Sequence, residues 1–311
     1  MPELHVFTEP QEGASYQDLS RFARATEDCG FAGFFRSDHY QTIRRPGGLP
    51  GPTDAWVTLG ALAVETKRVR LGTLMTCATF RLPGPLAIAV AQVDQMSRGR
   101  IDLGIGAGWV EAEHRAQGIP FPAMSERFDR LEEQLEILTG LWSAPEGSTF
   151  SFTGTHYQLQ QSPALPRPWQ RPGPPLLIGG MGRRRTPELA ARFATEFNVA
   201  FVSLADAGTQ FEAVERACRE RGRDPGDLRL SAALTVCCGR DRGEAVRRAR
   251  AVGHDPERLA LVGAVGSPTE VGERLDAYLR LGCQRIYLQL LDLEDLDHLE
   301  LIAGAVLPGF I

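Results

Sequence analysis

Lysine is almost absent from this sequence, because Lys67 is the only one among its 311 residues. Arginine therefore carries nearly all of the positive charge, and the net charge is -5 at neutral pH. The arginines are scattered along the chain, and their densest run lies at positions 183–185. Since the sequence shows no basic stripe that would follow a phosphate backbone, the composition argues against a nucleic-acid partner.

Long apolar runs and metal-ligand spacings are lacking as well. No apolar run is long enough to cross a bilayer, and the first ten residues do not resemble a secretory signal, so we expect a cytoplasmic protein without a membrane partner. The six cysteines form no C-x-x-C pair, and the six histidines show neither H-x-H nor H-E-x-x-H spacing. We therefore expect neither a metal site nor a disulfide framework.

Short apolar runs alternate with helical patterns along the chain, which is typical of parallel strands joined by helices. With 43% hydrophobic and 23% charged residues, the chain can bury a core. The predicted strands are Leu4–Thr8, Gly33–Ser37, Val69–Thr76, Ile101–Ile105, Leu176–Ile178, Asn198–Val202, Leu230–Val236 and Arg285–Leu290. The predicted helices are Tyr16–Cys29, Trp56–Thr66, Pro85–Met96, Ser125–Trp142, Thr186–Ala194, Gly208–Arg221, Arg242–Val252 and Pro268–Leu281.

Eight such units fit an α/β fold of the (β/α)8 TIM-barrel type better than a doubly wound sheet, because no dinucleotide-binding motif follows the first strand. We therefore expect one domain over residues 1–311. Residues 143–175 interrupt the alternation and are rich in Gly, Pro, Ser and Thr. They predict an irregular, lid-like insertion between strands 4 and 5.

In a barrel of this type the chemistry lies at the carboxyl ends of the strands. The second strand is followed by Asp38 and His39, and a histidine beside a carboxylate can exchange protons near neutral pH. A purely structural histidine is the alternative. The fourth strand is followed by Gly106 and Gly108, where a ligand could approach the backbone closely.

The fifth strand ends in a glycine-rich turn at positions 179–182, which runs into the arginines at 183–185 and a predicted helix. Glycine amides at a helix start, with the positive end of the helix dipole and arginine nearby, form a site suited to phosphate. A tight turn with solvent-facing arginines is the alternative interpretation.

Taken together, these segments resemble the bacterial luciferase-like superfamily, in particular its coenzyme F420-dependent oxidoreductases. The resemblance spans nearly the whole chain and is carried by SDHY (37–40), PTDAWVTLGALA (52–63), RVRLGTLMTCATFRLPGPLA (68–87), the segment 100–142, LLIGGMG (176–182) and QRIYLQLL (284–291). It implies a barrel that holds F420, or alternatively FMN, with its ring over a bulged third strand. Family members have a non-prolyl cis peptide bond at that bulge, which alignment places between Leu74 and Met75.

The resemblance also implies roles for individual residues. It places Asp38 and His39 beside the reactive centre of the cofactor, with His39 as the proton-transfer residue, and it places Thr76 beside the bulge. The remaining cofactor-binding candidates are Leu74, Met75, Gly106, Ala107 and Gly108 along the ring and side chain, and Gly179, Gly180, Met181, Gly182 and Arg183 at the phosphate.

Two departures from the F420-dependent sugar-phosphate dehydrogenases of this superfamily bear on the substrate. Those relatives carry a catalytic glutamate directly after the glycine turn, where this chain has Trp109. They also bind the sugar phosphate through lysines, whereas no lysine lies near the corresponding Ala205. The resemblance therefore disfavours sugar-phosphate oxidation. Aromatic side chains at Tyr40, Phe80, Trp109 and Phe201 instead predict an apolar substrate pocket, although each could equally be core packing.

The resulting prediction is an F420-dependent oxidoreductase that transfers a hydride between the deazaflavin C5 and a C=C, C=N or C=O bond of a small organic substrate. One alternative is an FMN-dependent luciferase-like monooxygenase, supplied with reduced flavin by a partner reductase. Another is a barrel that keeps the fold as a binding or structural protein, and a metal-dependent hydrolase is the weakest alternative. The resemblance also implies a homodimer.

Overall fold

The computed structural model describes residues 1–43 and 49–310, and within these ranges eight parallel strands close into a barrel. The barrel strands are β1 (Glu3–Thr8), β2 (Gly33–Arg36), β3 (Arg70–Thr73), β4 (Ile101–Gly106), β5 (Leu176–Gly179), β6 (Glu196–Ala200), β7 (Arg229–Cys238) and β8 (Arg285–Gln289). They follow one another in chain order, and the pairing of Val6 with Leu288 joins β1 to β8 and closes the ring. The predicted (β/α)8 barrel is confirmed.

Helices surround the barrel. In the described ranges they are α1 (Tyr16–Asp28), α2 (Ala55–Glu65), α3 (Pro83–Ser97), α4 (Glu111–Ala116), α5 (Met124–Ser143), α6 (Arg185–Phe193), α7 (Leu204–Glu220), α8 (Arg242–Ala251), α9 (Pro256–Val262), α10 (Pro268–Arg280) and α11 (Leu296–Ala305). Local sequence sets several of their first residues: Ser15 and Asp18 form a capping box at the start of α1. In the described chain no helix is long and apolar enough to span a bilayer.

The third strand departs from the predicted continuous run. Regular pairing in β3 ends at Thr73, and the peptide bond between Leu74 and Met75 is cis. The chain then pairs again with β4 through a two-residue strand, in which Thr76 lies opposite Ile105. The non-prolyl cis bond therefore occurs at the position that the resemblance implied.

Tertiary and capping interactions move two other boundaries. Strand β6 begins at Glu196, two residues before its predicted start, and it ends before Phe201, whose left-handed φ of 58° takes the backbone out of the ladder. Helix α7 begins at Leu204 rather than Gly208, because the Ser203 hydroxyl accepts a hydrogen bond from the Asp206 amide at 3.1 Å. Helices α4, α9 and α11 were not predicted.

The insertion at 143–175 is not irregular throughout, and it is not a lid. It contains an antiparallel pair of strands at Phe150–Thr153 and Gln158–Ser162. The Glu133 carboxylate on α5 accepts bonds from the backbone amides of the turn between them. Near the end of the insertion, Gln170 donates to the backbone oxygen of Ile101, the first residue of β4, at 2.7 Å. The insertion therefore covers outer helices and reaches the amino end of the barrel, opposite to the catalytic face of such folds.

A buried ionic cluster fills the amino end of the barrel interior. Arg285 on β8, only 2% exposed, donates from Nη1 to Glu196 Oε2 at 2.6 Å and to Asp102 Oδ2 at 3.1 Å. Its Nη2 donates to Glu3 Oε2 at 2.6 Å. One guanidinium thus joins β1, β4 and β6 to β8. Burial raises the pKa of Glu196, and the Arg285 charge opposes that rise.

Above this ionic cluster the barrel interior is apolar. The side chains that fill it are Phe7, Phe35, Leu74, Leu177, Ala233 and Tyr287. His5 packs against Phe35 and Tyr287, and burial lowers its pKa to about 4, so the ring is neutral near pH 7. These layers fill the lower interior of the barrel, and the residues predicted to form the site follow the carboxyl ends of the strands.

We expect Arg285→Met to destabilise the fold by about 3–5 kcal/mol, because the buried Glu196 carboxylate would lose the guanidinium that pairs with it at 2.6 Å. Asp102 and Glu3 would each lose one of their partners as well. Urea unfolding followed by circular dichroism measures this loss. The matched control is Arg280→Met on the exposed side of α10, which should change the free energy of unfolding by no more than about 0.5 kcal/mol. Equal effects of the two substitutions would show that the cluster does not stabilise the barrel.

Candidate active site

The predicted site residues converge at the carboxyl end of the barrel. They follow β2, the break after β3, β4 and β5, which are four successive strands of the ring. This convergence follows from the parallel topology, because all carboxyl ends meet at one rim. Among the described residues, no group of three or more His, Cys, Asp or Glu side chains is placed to hold a metal ion.

The Asp38 carboxylate forms its contacts with neighbouring side chains of the protein. Its Oδ2 accepts a hydrogen bond from Thr76 Oγ1 at 2.9 Å and forms an ion pair with Arg81. Asp38 is 1% exposed and Thr76 is fully buried. Thr76 therefore supports Asp38 from beneath, and in the described structure the carboxylate faces a guanidinium rather than solvent.

Arg81 links this carboxylate to a helix start. Its Nη2 donates to Asp54 Oδ2 at 2.6 Å, while Asp54 Oδ1 caps α2 by accepting from the amides of Trp56 and Val57 at 2.9 and 3.0 Å. Burial would raise the pKa of Asp54, but Arg81 and the two amides outweigh it and lower the pKa. Arg81 lies within the segment that follows the third strand, yet nothing in the sequence identifies its two partners.

His39 contacts a residue that sequence reasoning missed. Its Nδ1 lies 2.9 Å from Oε1 of Glu113 on α4, and Glu113 is 1% exposed. Nε2 of His39 has no hydrogen-bond partner among the described residues, and 15% of the His39 side chain is exposed. The ring thus has one nitrogen held by a carboxylate and the other available at the rim.

The predicted aromatic residues lie in three places. Tyr40 and Phe80 pack together with ring centroids 4.6 Å apart, and burial with the nearby Asp38 raises the pKa of Tyr40. Trp109 lies at the rim, 66% exposed, with its ring edge-on to that of His39 at 6.1 Å. Phe201 lies across the carboxyl end of the barrel, which we call the mouth, and packs against the apolar layer inside the barrel.

The bulge after β3 is flanked by glycines from the next two strands. The Met75 side chain reaches both of them, because a Cβ on Gly106 would lie 3.8 Å from its Sδ and one on Gly179 would lie 2.5 Å from its Cε. Gly179 therefore has no room for a side chain, whereas the space beside Gly106 is open. Leu74, Met75 and these glycines form one continuous surface at the mouth.

A hydrogen-bonded chain of side chains lies behind residues 106–108, which we call the glycine wall. Thr79 Oγ1 donates to His114 Nε2, because His114 Nδ1 must donate to the Val110 carbonyl at 2.6 Å. Thr79 in turn accepts from the Cys77 thiol at 2.8 Å, and burial raises the pKa of Cys77 to about 11. Gly108, at φ 81°, packs on this thiol so closely that a Cβ would lie 2.2 Å from Sγ.

The glycine-rich turn after β5 presents backbone amides rather than paired arginines. The Gly180 amide is used, since it donates to the Asn198 carbonyl at 3.2 Å. In the described structure the amides of Met181, Gly182 and Arg183 have no protein partner, and Met181 and Arg183 are exposed. The next two arginines, 184 and 185, pair with Glu188 and with Asp129 and Glu132, so Arg183 is the cation left beside these amides.

The fold and this mouth define a (β/α)8-barrel protein with its site at the carboxyl ends of the strands. The model of the luciferase-like monooxygenase family matches residues 3–256, and the chain belongs to that family.

Named relatives and solved structures agree with this family assignment. An F420-dependent glucose-6-phosphate dehydrogenase of Microbacterium testaceum is 36% identical over 179 residues, which cover 57% of this chain and 50%, or about half, of that relative. Its counterpart from Beutenbergia cavernae is 30% identical over 307 residues, which cover 94% of this chain and 85% of the relative. The structure of an F420-dependent secondary alcohol dehydrogenase in complex with an F420-acetone adduct has a TM-score of 0.85 over 98% of both chains. Its sequence identity of 19% makes this a likeness of fold alone.

We expect Arg81→Met to destabilise the protein by about 3 kcal/mol at pH 7, because the buried Asp38 carboxylate would lose its cation. Chemical unfolding measures the change. Arg115→Met is the matched control, since Arg115 is 77% exposed and forms an i,i+4 pair with Glu111 at 2.8 Å. Such a pair contributes less than about 1 kcal/mol. A loss for Arg81→Met no larger than that of the control would contradict the assignment of Arg81 as the counter-charge of Asp38.

Proposed function

We propose that this protein is an F420-dependent oxidoreductase, which transfers a hydride between the deazaflavin C5 and a C=C, C=N or C=O bond of a small organic substrate. The observation that carries the proposal is the placement of His39, which is held through Nδ1 and keeps Nε2 available beside the glycine wall of the mouth. Membership in the luciferase-like family and the names of the relatives support the choice of cofactor.

The residues present fit a cofactor of this kind. The amides of Met181 and Gly182, with Arg183, match the needs of its phosphate. Gly106 leaves room for a planar ring to approach the backbone at the bulge, where Leu74 and Met75 provide an apolar surface, and we assign Gly179 to the wall beside it. We assign Ala107 and Gly108 to the same wall, and Gly180 to the turn that shapes the phosphate cradle.

When bound, F420 supplies the hydride chemistry. The protein positions the reactants and exchanges one proton with the substrate. His39 lies at the rim with Nε2 as the atom that gives the proton in reduction or takes it in oxidation. Asp38 is held by Arg81 and Thr76 at the start of the His39 loop, and we assign proton exchange to His39 alone.

The substrate side of the mouth favours an uncharged organic molecule over a sugar phosphate. Trp109, Tyr40 and Phe80 line the rim with aromatic surface. Arg81 is already paired with two carboxylates, and Lys67 lies before β3, at the amino end of the barrel. Neither of these two cations is therefore available for a second phosphate there, although the relatives named above are glucose-6-phosphate dehydrogenases. Phe201 closes the far side of the proposed pocket.

Titration of the protein with oxidised F420 and with FMN, followed by fluorescence, tests the cofactor. We expect F420 to bind in the micromolar range, and Arg183→Gln should weaken it more than Arg184→Gln, because Arg184 is paired with Glu188. Binding of FMN without F420 would replace the proposal by its alternative, an FMN-dependent monooxygenase supplied by a partner reductase.

The role of His39 is tested by His39→Ala with reduced F420 as donor and cyclohex-2-en-1-one, a simple enone, as acceptor. We expect turnover to fall by about 100-fold or more, with F420 affinity retained, because the variant lacks the proton donor and keeps the cradle. A variant as active as wild type would remove His39 from the mechanism. Oxidation of glucose 6-phosphate with oxidised F420 as the hydride acceptor, measured in a separate assay, would contradict the proposed substrate class.

We also propose that the partner of this chain is a second copy, packed on α2 and α3. These helices contain only two charged residues, Glu65 and the buried Asp94, in a chain that is 23% charged. Their outward side nevertheless exposes large apolar side chains, namely Val57, Val64, Leu82 just before α3, Ile88 and Met96. A continuous apolar and uncharged face of this kind is typical of an interface between subunits.

Light scattering after size-exclusion chromatography tests this dimer. Wild type is expected to elute as a dimer, and Val64→Glu should shift it toward monomer, because the substitution buries an unpaired charge in the interface. Leu261→Glu is the matched control, since Leu261 is a similarly exposed leucine on α9. A monomeric wild type, or equal behaviour of both variants, would overturn the proposed interface.

A further inference from the structure

The histidine proposed to exchange protons is bonded to a buried carboxylate from the loop after β4. Glu113 lies in α4, is 1% exposed, and places Oε1 and Oε2 at 2.9 and 3.2 Å from Nδ1 of His39. The two residues are 74 positions apart in the chain, so only the barrel brings them together.

A second contact supports the direction of this hydrogen bond. The amide of Tyr40 donates to Glu113 Oε2 at 2.9 Å, and an amide can only donate. Glu113 is thus an acceptor on that oxygen. As a carboxylate it accepts on both oxygens, and the hydrogen bond to His39 then runs from Nδ1–H to Glu113.

We propose that Glu113 is a positioning residue that fixes His39 as its Nδ1–H tautomer and so assigns proton exchange with the substrate to Nε2. The reaction itself rests on the proposed function, whereas the tautomer does not. Free histidine favours the opposite tautomer, which carries its proton on Nε2. In that tautomer the ring nitrogen at the rim of the mouth would be protonated rather than unprotonated. Glu113 therefore decides which nitrogen of the neutral His39 ring is unprotonated and faces the substrate.

The proton balance follows from this arrangement. In reduction, the substrate double bond opens as a hydride adds to one of its atoms, and the other atom takes the Nε2 proton of the doubly protonated His39 ring. The ring becomes neutral and keeps its Nδ1 proton, bonded to Glu113. In oxidation, Nε2 takes the proton back. Glu113 remains a carboxylate throughout and neither gains nor loses a proton.

The tautomer can be observed without cofactor or substrate. In protein labelled with 15N-histidine, the His39 signals are identified by their loss in His39→Gln. At a pH where the ring is neutral, we expect a protonated Nδ1 and an unprotonated Nε2 in wild type, and a shift toward the Nε2–H tautomer in Glu113→Gln. A wild-type His39 that carries its proton on Nε2 would overturn the inference.

Glu111→Gln is the matched control, because Glu111 lies two residues earlier on the same helix, is 61% exposed and pairs with Arg115. It should leave the His39 signals unchanged. Should Glu113→Gln fail to fold, Glu113→Asp keeps the charge on a shorter side chain, and a weakened Nδ1 contact in that variant should mix the two tautomers. Identical His39 signals in wild type and in every folded Glu113 variant would also overturn the inference.

Turnover separates a positioning role from a merely structural one. With reduced F420 and cyclohex-2-en-1-one, we expect Glu113→Gln to lower kcat by about 10- to 100-fold while F420 affinity stays at the wild-type value. Glu111→Gln should retain wild-type kcat. A changed tautomer with unchanged kcat would contradict the positioning role. Absence of F420 binding to wild type would instead refute the proposed function, and the nuclear magnetic resonance result would still decide the tautomer.

Discussion

The interaction on which the rest of the structure depends is the contact of Arg285 with three carboxylates inside the barrel. It joins β1, β4 and β6 to β8 across the interior and so stabilises the closed ring that the backbone ladders form. Arg285, Glu196 and Asp102 are almost fully buried, and such ions are stable only together, because each one left alone would keep its desolvation cost. With this cluster below and the apolar layer that includes Phe7 and Tyr287 above it, the lower barrel is filled, and the predicted site residues lie at the carboxyl end.

At that end the charges are arranged so that few groups remain unsatisfied. Asp38 is paired with Arg81, Arg81 also with Asp54, and Glu113 with His39. Among the groups described above at this rim, those without a protein partner are Nε2 of His39 and the backbone amides of Met181, Gly182 and Arg183. The proposed function uses these two sets of groups. Gly179 and Gly108 pack directly on neighbouring residues, because a Cβ there would collide with the Asn198 carbonyl or with the Cys77 thiol.

Much of this was predictable because it depends on local pattern or on topology. The eight strands follow from short apolar runs, and the meeting of Asp38, Gly106 and Gly179 follows from the rule that parallel strands end at one rim. Contacts between distant side chains were not predictable. Glu113 looks like an ordinary solvated glutamate in the sequence, since neither its neighbours nor its spacing distinguishes it from Glu111. The lid was predicted from composition alone, and composition does not tell a helix-to-strand connection at the amino end from a loop over the site.

The sequence by itself determined the barrel, the family resemblance and the set of residues at the strand ends, because periodicity and short motifs are read within a few residues. Only the tertiary structure decided the protonation geometry of the mouth. Hydrogen bonds between His39 and Glu113, and between Asp38, Arg81 and Asp54, join residues that are 27 to 74 positions apart and are set by a few tenths of an ångström. Such distances are fixed by the packing of whole strands and helices, and no local pattern of residues records them.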